Sequence, residues 1–209
     1  MSEKLKPNKE HQILVAAEQE FLIKGYDGAR TINIAKRAGV THAMLHYYFR
    51  TKEKLFERIM DEKFSIMSDS LLTMLGDCTM PIIERLKNGI ESHFDFVAAN
   101  PLLPRFLINE IMSRPELCAV LEKRVTKVAG NIFKELQRSI DEAAEKGEIE
   151  WVEAPMLMMS IMSLNIFTFI AYPLMERIVG DVMSDREKFL AERKAENVEI
   201  IMRRIQKNN

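Results

Sequence analysis

The 209-residue sequence lacks the alternating β-branched runs of a sheet protein, and only eight glycines and seven prolines punctuate it. That excludes a sandwich or barrel and points to an all-α chain. Cysteine is nearly absent. Cys78 and Cys118 fall in no CxxC or metal spacing, so no disulfide framework is expected, a reducing compartment fits, and a redox role for the pair stays open. No HExxH, GxSxG or phosphate loop occurs, so neither an enzyme nor a cofactor is expected. The opening residues, Met-Ser-Glu-Lys-Leu-Lys-Pro, have no apolar core of the kind a signal peptide needs. Charge of one sign is lacking overall, with a net of −1, yet the balance is uneven. Residues 1–54 hold 10 Lys/Arg against 6 Asp/Glu, or +4, which leaves 20 against 25, or −5, for residues 55–209. A basic end on an acidic body suits a protein that offers one face to a polyanion.

What is present is helical periodicity almost throughout. Asn8 can cap a first helix reaching about Lys24, with Ile13, Ala17 and Phe21 on one face and Gly25 as its stop. Tyr26-Asp27-Gly28 then makes a turn, and Thr31 caps a short second helix. Gly39 can take the left-handed conformation that ends it, and Thr41 can cap a third, about Thr41–Tyr48. Leu45 and Phe49 supply the inner face of this third helix. Thr41, His42, Ala43, His46, Tyr47 and Tyr48 are presented elsewhere, with Lys52 and Lys54 just beyond. Small, hydrogen-bonding and aromatic groups on an exposed helix after a glycine turn form the layout of a helix-turn-helix whose second helix enters the major groove. His42 and His46 stand at i, i+4, but no third ligand lies nearby, so no metal site is expected.

Thr51 can cap a long fourth helix whose stripe runs through Phe56, Met60, Phe64, Met67, Leu71 and Leu75 to Gly76. From Pro81, at a first helical position, Ile82, Leu86, Ile90, Phe94 and Val97 line the next helix. A short one carries Leu103, Phe106, Leu107 and Ile111. A longer one runs from Leu117 through Val125, Ile132 and Ile140 to Gly147. Residues 148–153 connect to a run without charge from Ala154 to Met175, 22 positions long. That length could cross a bilayer. Pro155, Pro173, Asn165, Ser160 and Thr168 within it, and flanks with no one-sided basic bias, favour a buried helix instead. Gly180-Asp181 breaks the run, and Ser184 or Asp185 caps a last helix. The expectation is about nine helices: a three-helix DNA-binding module over 1–54, and a long fourth helix leading into a helical ligand-binding and dimerisation body over 55–209.

The residues Phe21, Gly25, Thr31, Ile34-Ala35, Ala38-Gly39-Val40-Thr41, Leu45, Tyr48-Phe49 and Lys52-Glu53-Lys54-Leu55 resemble the signature of the tetracycline-repressor (TetR) family of bacterial transcription regulators. The pattern covers about residues 9–56; the remainder matches only in helix count, length and the closing long pair. The resemblance implies a cytoplasmic homodimer joined through its last two helices and a ligand pocket in the body. It implies that Thr31 binds phosphate, that Thr41, Tyr48 and Lys52 grip the backbone, and that His42, Ala43 and Tyr47 face base edges or groove sugar. The position of His46, a phosphate contact, is usually tyrosine in the family. Histidine there makes phosphate binding sensitive to pH.

In the body, His93 beside Phe94, and Asn165 inside the uncharged run, are candidate polar groups of a pocket; a satisfied core histidine and a pairing asparagine are the plain alternatives. Phe94, Phe106, Met162, Asn165 and Phe169 join His93 as candidate lining. Fourteen methionines, five of them in the uncharged run, suit either re-packing around ligands or an ordinary core and dimer seam. The expected function is a repressor released from a palindromic operator, with half-sites about 34–36 Å or multiples apart, by a small hydrophobic or aromatic effector. The alternatives are a DNA-binding regulator without a small-molecule switch and, from another class, a helical enzyme or lipid-binding protein. The sequence names neither effector nor operator.

Overall fold

The computed structural model describes residues 8–75, 80–114, 130–131, 133–183 and 185–207, and among them every regular element is helical. The chain divides into two compact units. The first is built from the described residues up to Ile66 together with the segment that begins at Arg105. The second takes Met67–Pro104 and the described residues from 130 onward.

In the first unit, α1 spans Lys9–Gly28, α2 Thr31–Arg37, α3 His42–Phe49, and α4 begins at Lys52 and runs to Leu75. Asn8 caps α1, accepting the Glu10 N–H. Gly25 breaks the helical dihedrals at φ 67°, as a left-handed stop should, but one more turn follows it, closed by Ala29 N–H on the Gly25 and Tyr26 carbonyls. Tyr26 is therefore no turn-tip residue; it is buried. At the next element the expected cap is corrected. Arg30 holds the N-cap position of α2 without a side-chain bond, and Thr31 is the first helical residue. The Thr31 hydroxyl is turned to His42 instead, 2.9 Å from Nε2.

Gly39 sits at φ 64° between α2 and α3, and Thr41 caps α3 by accepting the Met44 N–H at 3.2 Å. Thr51 does the same for Lys54 at the start of α4. Eight residues of α3 cannot hold a helix alone, and Leu45 and Phe49 fix it by burial. They join Ile13, Ala17, Phe21, Ile34, Leu55, Phe56 and Ile59 in the unit's interior. The division at residue 54 follows motif and charge, whereas compactness carries the first unit along α4 to Ile66. The stripe expected beyond Met60, at Phe64, Met67, Leu71 and Leu75, lies outside the described side chains, as do Gly76, Cys78, Leu117, Cys118, Val125 and Ile132.

The second unit is a packed set of helices: α5 (Ile82–Ala99), α7 (helical over 133–145), α8 (Ala154–Ile178) and α10 (Arg186–Ile205), with α9 a single turn at Gly180–Met183. The intervening helix α6 spans Leu103–Ser113, and its portion from Arg105 belongs to the first unit. Pro81 proves to be the N-cap of α5 and not its first helical residue. Asp185 caps α10 by accepting the Lys188 N–H. Ile82, Leu86 and Ile90 of α5 meet Leu136 and Ile140 of α7, Leu157 and Ile161 of α8, and Ile201 and Ile205 of α10. Burying each such side chain contributes roughly 1.5–3 kcal/mol. Helix α8 is long and apolar enough to cross a membrane by length and composition alone. It is not the wholly buried helix expected. Leu157, Met158, Ile161, Asn165 and Phe169 face inward, while Met159, Phe167, Leu174 and Ile178 are each more than 60% exposed.

Candidate functional site

The chemistry of the first unit is concentrated on α3 and the turns at its ends. Two local interactions aim this helix. Glu20 of α1, fully buried, accepts Lys24 Nζ at 2.8 Å and Asn33 of α2 at 3.3 Å, and pairs with Arg37 at 3.5 Å. Burial pushes its carboxyl pKa up, but the bonds from Lys24 and Asn33 and the charge of Lys24 outweigh it and hold the group below its usual value. Glu20 therefore ties α2 to α1 as an ionised acceptor. The Gly39 turn then sets α3 relative to α2.

Leu45 and Phe49 hold the inner face of α3, which leaves Thr41, His42, Ala43, His46, Tyr47 and Tyr48 exposed together. Tyr47 is 73% exposed and packs edge-on against Tyr48, their centroids 5.5 Å apart. The His42 and His46 rings also meet edge-on, at 4.4 Å. His42 is held by Thr31, so two expected contact residues from different helices share one hydrogen bond. His46 Nδ1 lies 2.8 Å from the Arg50 carbonyl. Because a carbonyl can only accept, Nδ1 carries the proton. Arg50 itself adopts φ 60°, a conformation that side chains rarely take, and its N–H caps the His46 carbonyl at 2.9 Å. Among the described residues no group of three His, Cys, Asp or Glu side chains could hold a metal ion.

Behind Lys52 stands a contact set that the sequence does not announce. Lys52 Nζ lies over the Tyr26 ring, 4.4 Å from its centroid, and Arg114 Cζ lies 3.7 Å from the same centroid. The Tyr26 N–H donates to Glu110 at 2.8 Å, and its hydroxyl donates to Glu53. Burial first, and then Glu53, push the phenol pKa up to about 12, so it stays a donor. Tyr26 also packs edge-on against Phe56 at 4.9 Å. Glycine before tyrosine reads as a turn signal, and that reading masks the aromatic anchor.

In the second unit four of the six candidate lining residues come together. Asn165 Nδ2 donates to the Ile90 carbonyl at 3.0 Å and to His93 Nδ1 at 3.1 Å, while Phe94 packs on Phe169 at 5.2 Å. Asn197 of α10 completes the set by donating to Asn165 Oδ1 at 2.9 Å. The Ile90 carbonyl fixes the orientation of the Asn165 amide, and Asn165 fixes that of Asn197. The Asn197 Oδ1 atom is left buried without a protein partner. Burial lowers the His93 pKa from 6.5 to about 4, so the ring is neutral. Asn197 escaped the sequence reading, although its place four residues before Ile201 and eight before Ile205 sets it on the inward row.

Two candidates part from this cluster. Phe106 lies in the first unit, against Phe56 at 6.0 Å. Met162 lines an open groove of about 580 Å³ with Met159, Phe167, Ile170 and Arg193.

Comparison with known proteins covers both units. The model of the family described as "Bacterial regulatory proteins, tetR family" matches residues 13–59. The model described as "Tetracyclin repressor-like, C-terminal domain" matches residues 83–201, more than half of the chain. The HTH-type transcriptional activator FasR of Mycolicibacterium smegmatis is 27% identical over 132 residues, 61% of this chain and 58% of FasR. The HTH-type transcriptional repressor DhaR of a Mycobacterium species is 24% identical over 152 residues, 73% of this chain and 75% of DhaR. The first of these relatives is thus matched over little more than half its length. The TetR family transcriptional regulator PfmR of Thermus thermophilus superposes with a TM-score of 0.59 at 19% identity, covering 75% of this chain and 84% of that one. At that identity the likeness speaks for the fold alone.

Proposed function

Because this chain belongs to the tetR family of bacterial regulatory proteins, we propose that it is a cytoplasmic, DNA-binding transcriptional regulator, a homodimer released from a palindromic operator by a small hydrophobic or aromatic effector. The observation that carries the DNA-binding reading is the outer face of α3. Two tyrosines, two histidines, Thr41 and Ala43 stand exposed there on a helix whose inner face is fully committed. Such a surface, hydrogen-bonding and aromatic at once, is suited to a groove. Thr31, Thr41, Tyr48 and Lys52 grip the sugar-phosphate backbone, and His42, Ala43 and Tyr47 face base edges. His46, its Nδ1 proton committed to the Arg50 carbonyl, leaves Nε2 for the phosphate contact.

The exposed apolar stripe of α8 and the groove that includes Met162 favour pairing through α8 and α10 with a second copy. The effector site is built around His93, Phe94, Asn165 and Phe169. Its aromatic and amide character suits an apolar ligand that carries one hydrogen-bonding group. The relatives include one named an activator and one a repressor. The test is fluorescence anisotropy with the DNA upstream of the protein's own gene, at moderate salt. We expect a sequence-preferring complex with two symmetric half-sites, lost on adding a small apolar compound. Equal binding to scrambled DNA overturns the regulator. Tight operator binding that no compound from an apolar and aromatic panel weakens overturns the effector switch and leaves a constitutive regulator.

A further inference from the structure

We propose that Tyr26 is a positioning residue for the DNA contact at Lys52, and that Glu110 of α6 and Arg114 just past its end hold Tyr26 in place. The inference rests on the DNA-binding reading above.

A lysine side chain is long and flexible, and ordering it against a phosphate costs entropy unless it is ordered beforehand. Lys52 has that support: its ammonium lies 4.4 Å from the centre of the Tyr26 ring, within range of attraction to the ring face. The ring cannot turn away, because it is tied at both ends. Its backbone N–H is bound to the buried Glu110 carboxylate at 2.8 Å, and its hydroxyl to Glu53, the neighbour of Lys52 on α4. Arg114 lies 3.7 Å from the ring centre and 5.8 Å from that of Phe56, and so bridges two aromatic groups of the unit. Gly25 makes the arrangement possible. Its φ of 67° turns the Tyr26 N–H toward Glu110, and a Cβ at Gly25 would come within 3.0 Å of Glu110 Oε1. Three helices thus converge on Tyr26: α1 supplies it, α4 supplies the cation and the acceptor for its hydroxyl, and α6 supplies a carboxylate, with the Arg114 guanidinium just past the end of α6. Phe56 packs beneath. None of these groups other than Lys52 needs to touch DNA.

The experiment is a double-mutant cycle read by operator anisotropy over a salt series, with Tyr26→Leu, Lys52→Ala, both together, and Tyr26→Phe. Lys52→Ala is expected to weaken binding roughly fivefold and to reduce the salt slope by about one. Tyr26→Leu should do the same, the double variant should be no worse than Lys52→Ala alone, and Tyr26→Phe, which keeps the ring, should keep the slope. Because Tyr26 is buried, Arg114→Gln serves in the same cycle if the leucine variant does not fold by circular dichroism. Losses that multiply in the double variant, or an unchanged salt slope in Tyr26→Leu and Arg114→Gln, overturn the proposal. Failure of the underlying reading is seen separately, as unmodified protein that shows no operator preference.

Discussion

The two units use polar residues in opposite ways. The first displays them: Tyr47, Tyr48, His42 and His46 stand on the surface of α3, and the buried carboxylates Glu20 and Glu110 serve as acceptors that fix backbone and neighbouring helices. The second conceals them. His93, Asn165 and Asn197 are 3%, 0% and 0% exposed, and bond almost entirely to one another and to one carbonyl. In the proposed function a displayed group meets its partner when DNA arrives; a concealed one must find its partner as the chain folds. Substitutions on the exposed face of α3 should therefore alter binding with little change in stability, and those in the concealed cluster of the second unit should alter stability first.

The largest test of that contrast is Phe94→Ala. Phe94 is 1% exposed and packs on Phe169, so truncation should cost about 3–5 kcal/mol in urea unfolding. A cost below about 1 kcal/mol would mean that the aromatic pair is not part of a close-packed core.

Next in size is acid sensitivity. The folded-state pKa of His93, about 4, lies below its ordinary 6.5. Between those values the unfolded chain binds more protons, so stability falls as pH drops from about 6.5 to about 4. The loss from this group amounts to roughly 3 kcal/mol. The geometry agrees in sign: Nδ1 faces an amide that donates to it, and a protonated ring would set donor against donor. His93→Gln should flatten the slope of stability against pH over that window, and an unchanged slope would place the acid sensitivity elsewhere.

The smallest stability effect belongs to the most conspicuous residue. Tyr47→Ala, at a position 73% exposed, should move stability by no more than about 0.5 kcal/mol while changing which operator variants compete best. A large thermal destabilisation with unaltered sequence preference would show that Tyr47 covers core instead of reading DNA.

The same contrast decides what could be read in the sequence. The first unit is written in local signals: a left-handed glycine at 39, Thr41 accepting from Met44, Thr51 accepting from Lys54. Each acts within three residues or so, and a sequence states such relations directly. The same locality misled at Thr31, whose hydroxyl is taken by His42, 11 positions away, so that it caps nothing. Tyr26 hid for a similar reason, since its partner Glu110 is 84 positions away. In the second unit the decisive bonds join residues 75, 72 and 32 positions apart. Periodicity shows that Asn165 interrupts an apolar run, but not which groups will meet it. Phe106 was misplaced because an apolar stripe tells that a helix is buried and not against what.

The order in which the Asn165 network is assembled has a consequence for synthesis. Among the helices that share the core with the inward face of α8, α5 and α7 precede it in the chain and α10 follows it. As the chain leaves the ribosome, Asn165 can reach Ile90 and His93 while Asn197 has yet to be made. For that interval a 22-residue stretch without charge is only partly covered, and exposed apolar surface on an unfinished chain is prone to aggregate. Asn165, Ser160, Ser163 and the two prolines within it lower its hydrophobicity, so the asparagine that links α8 to α5 and α10 in the finished body also makes the unfinished helix less apolar.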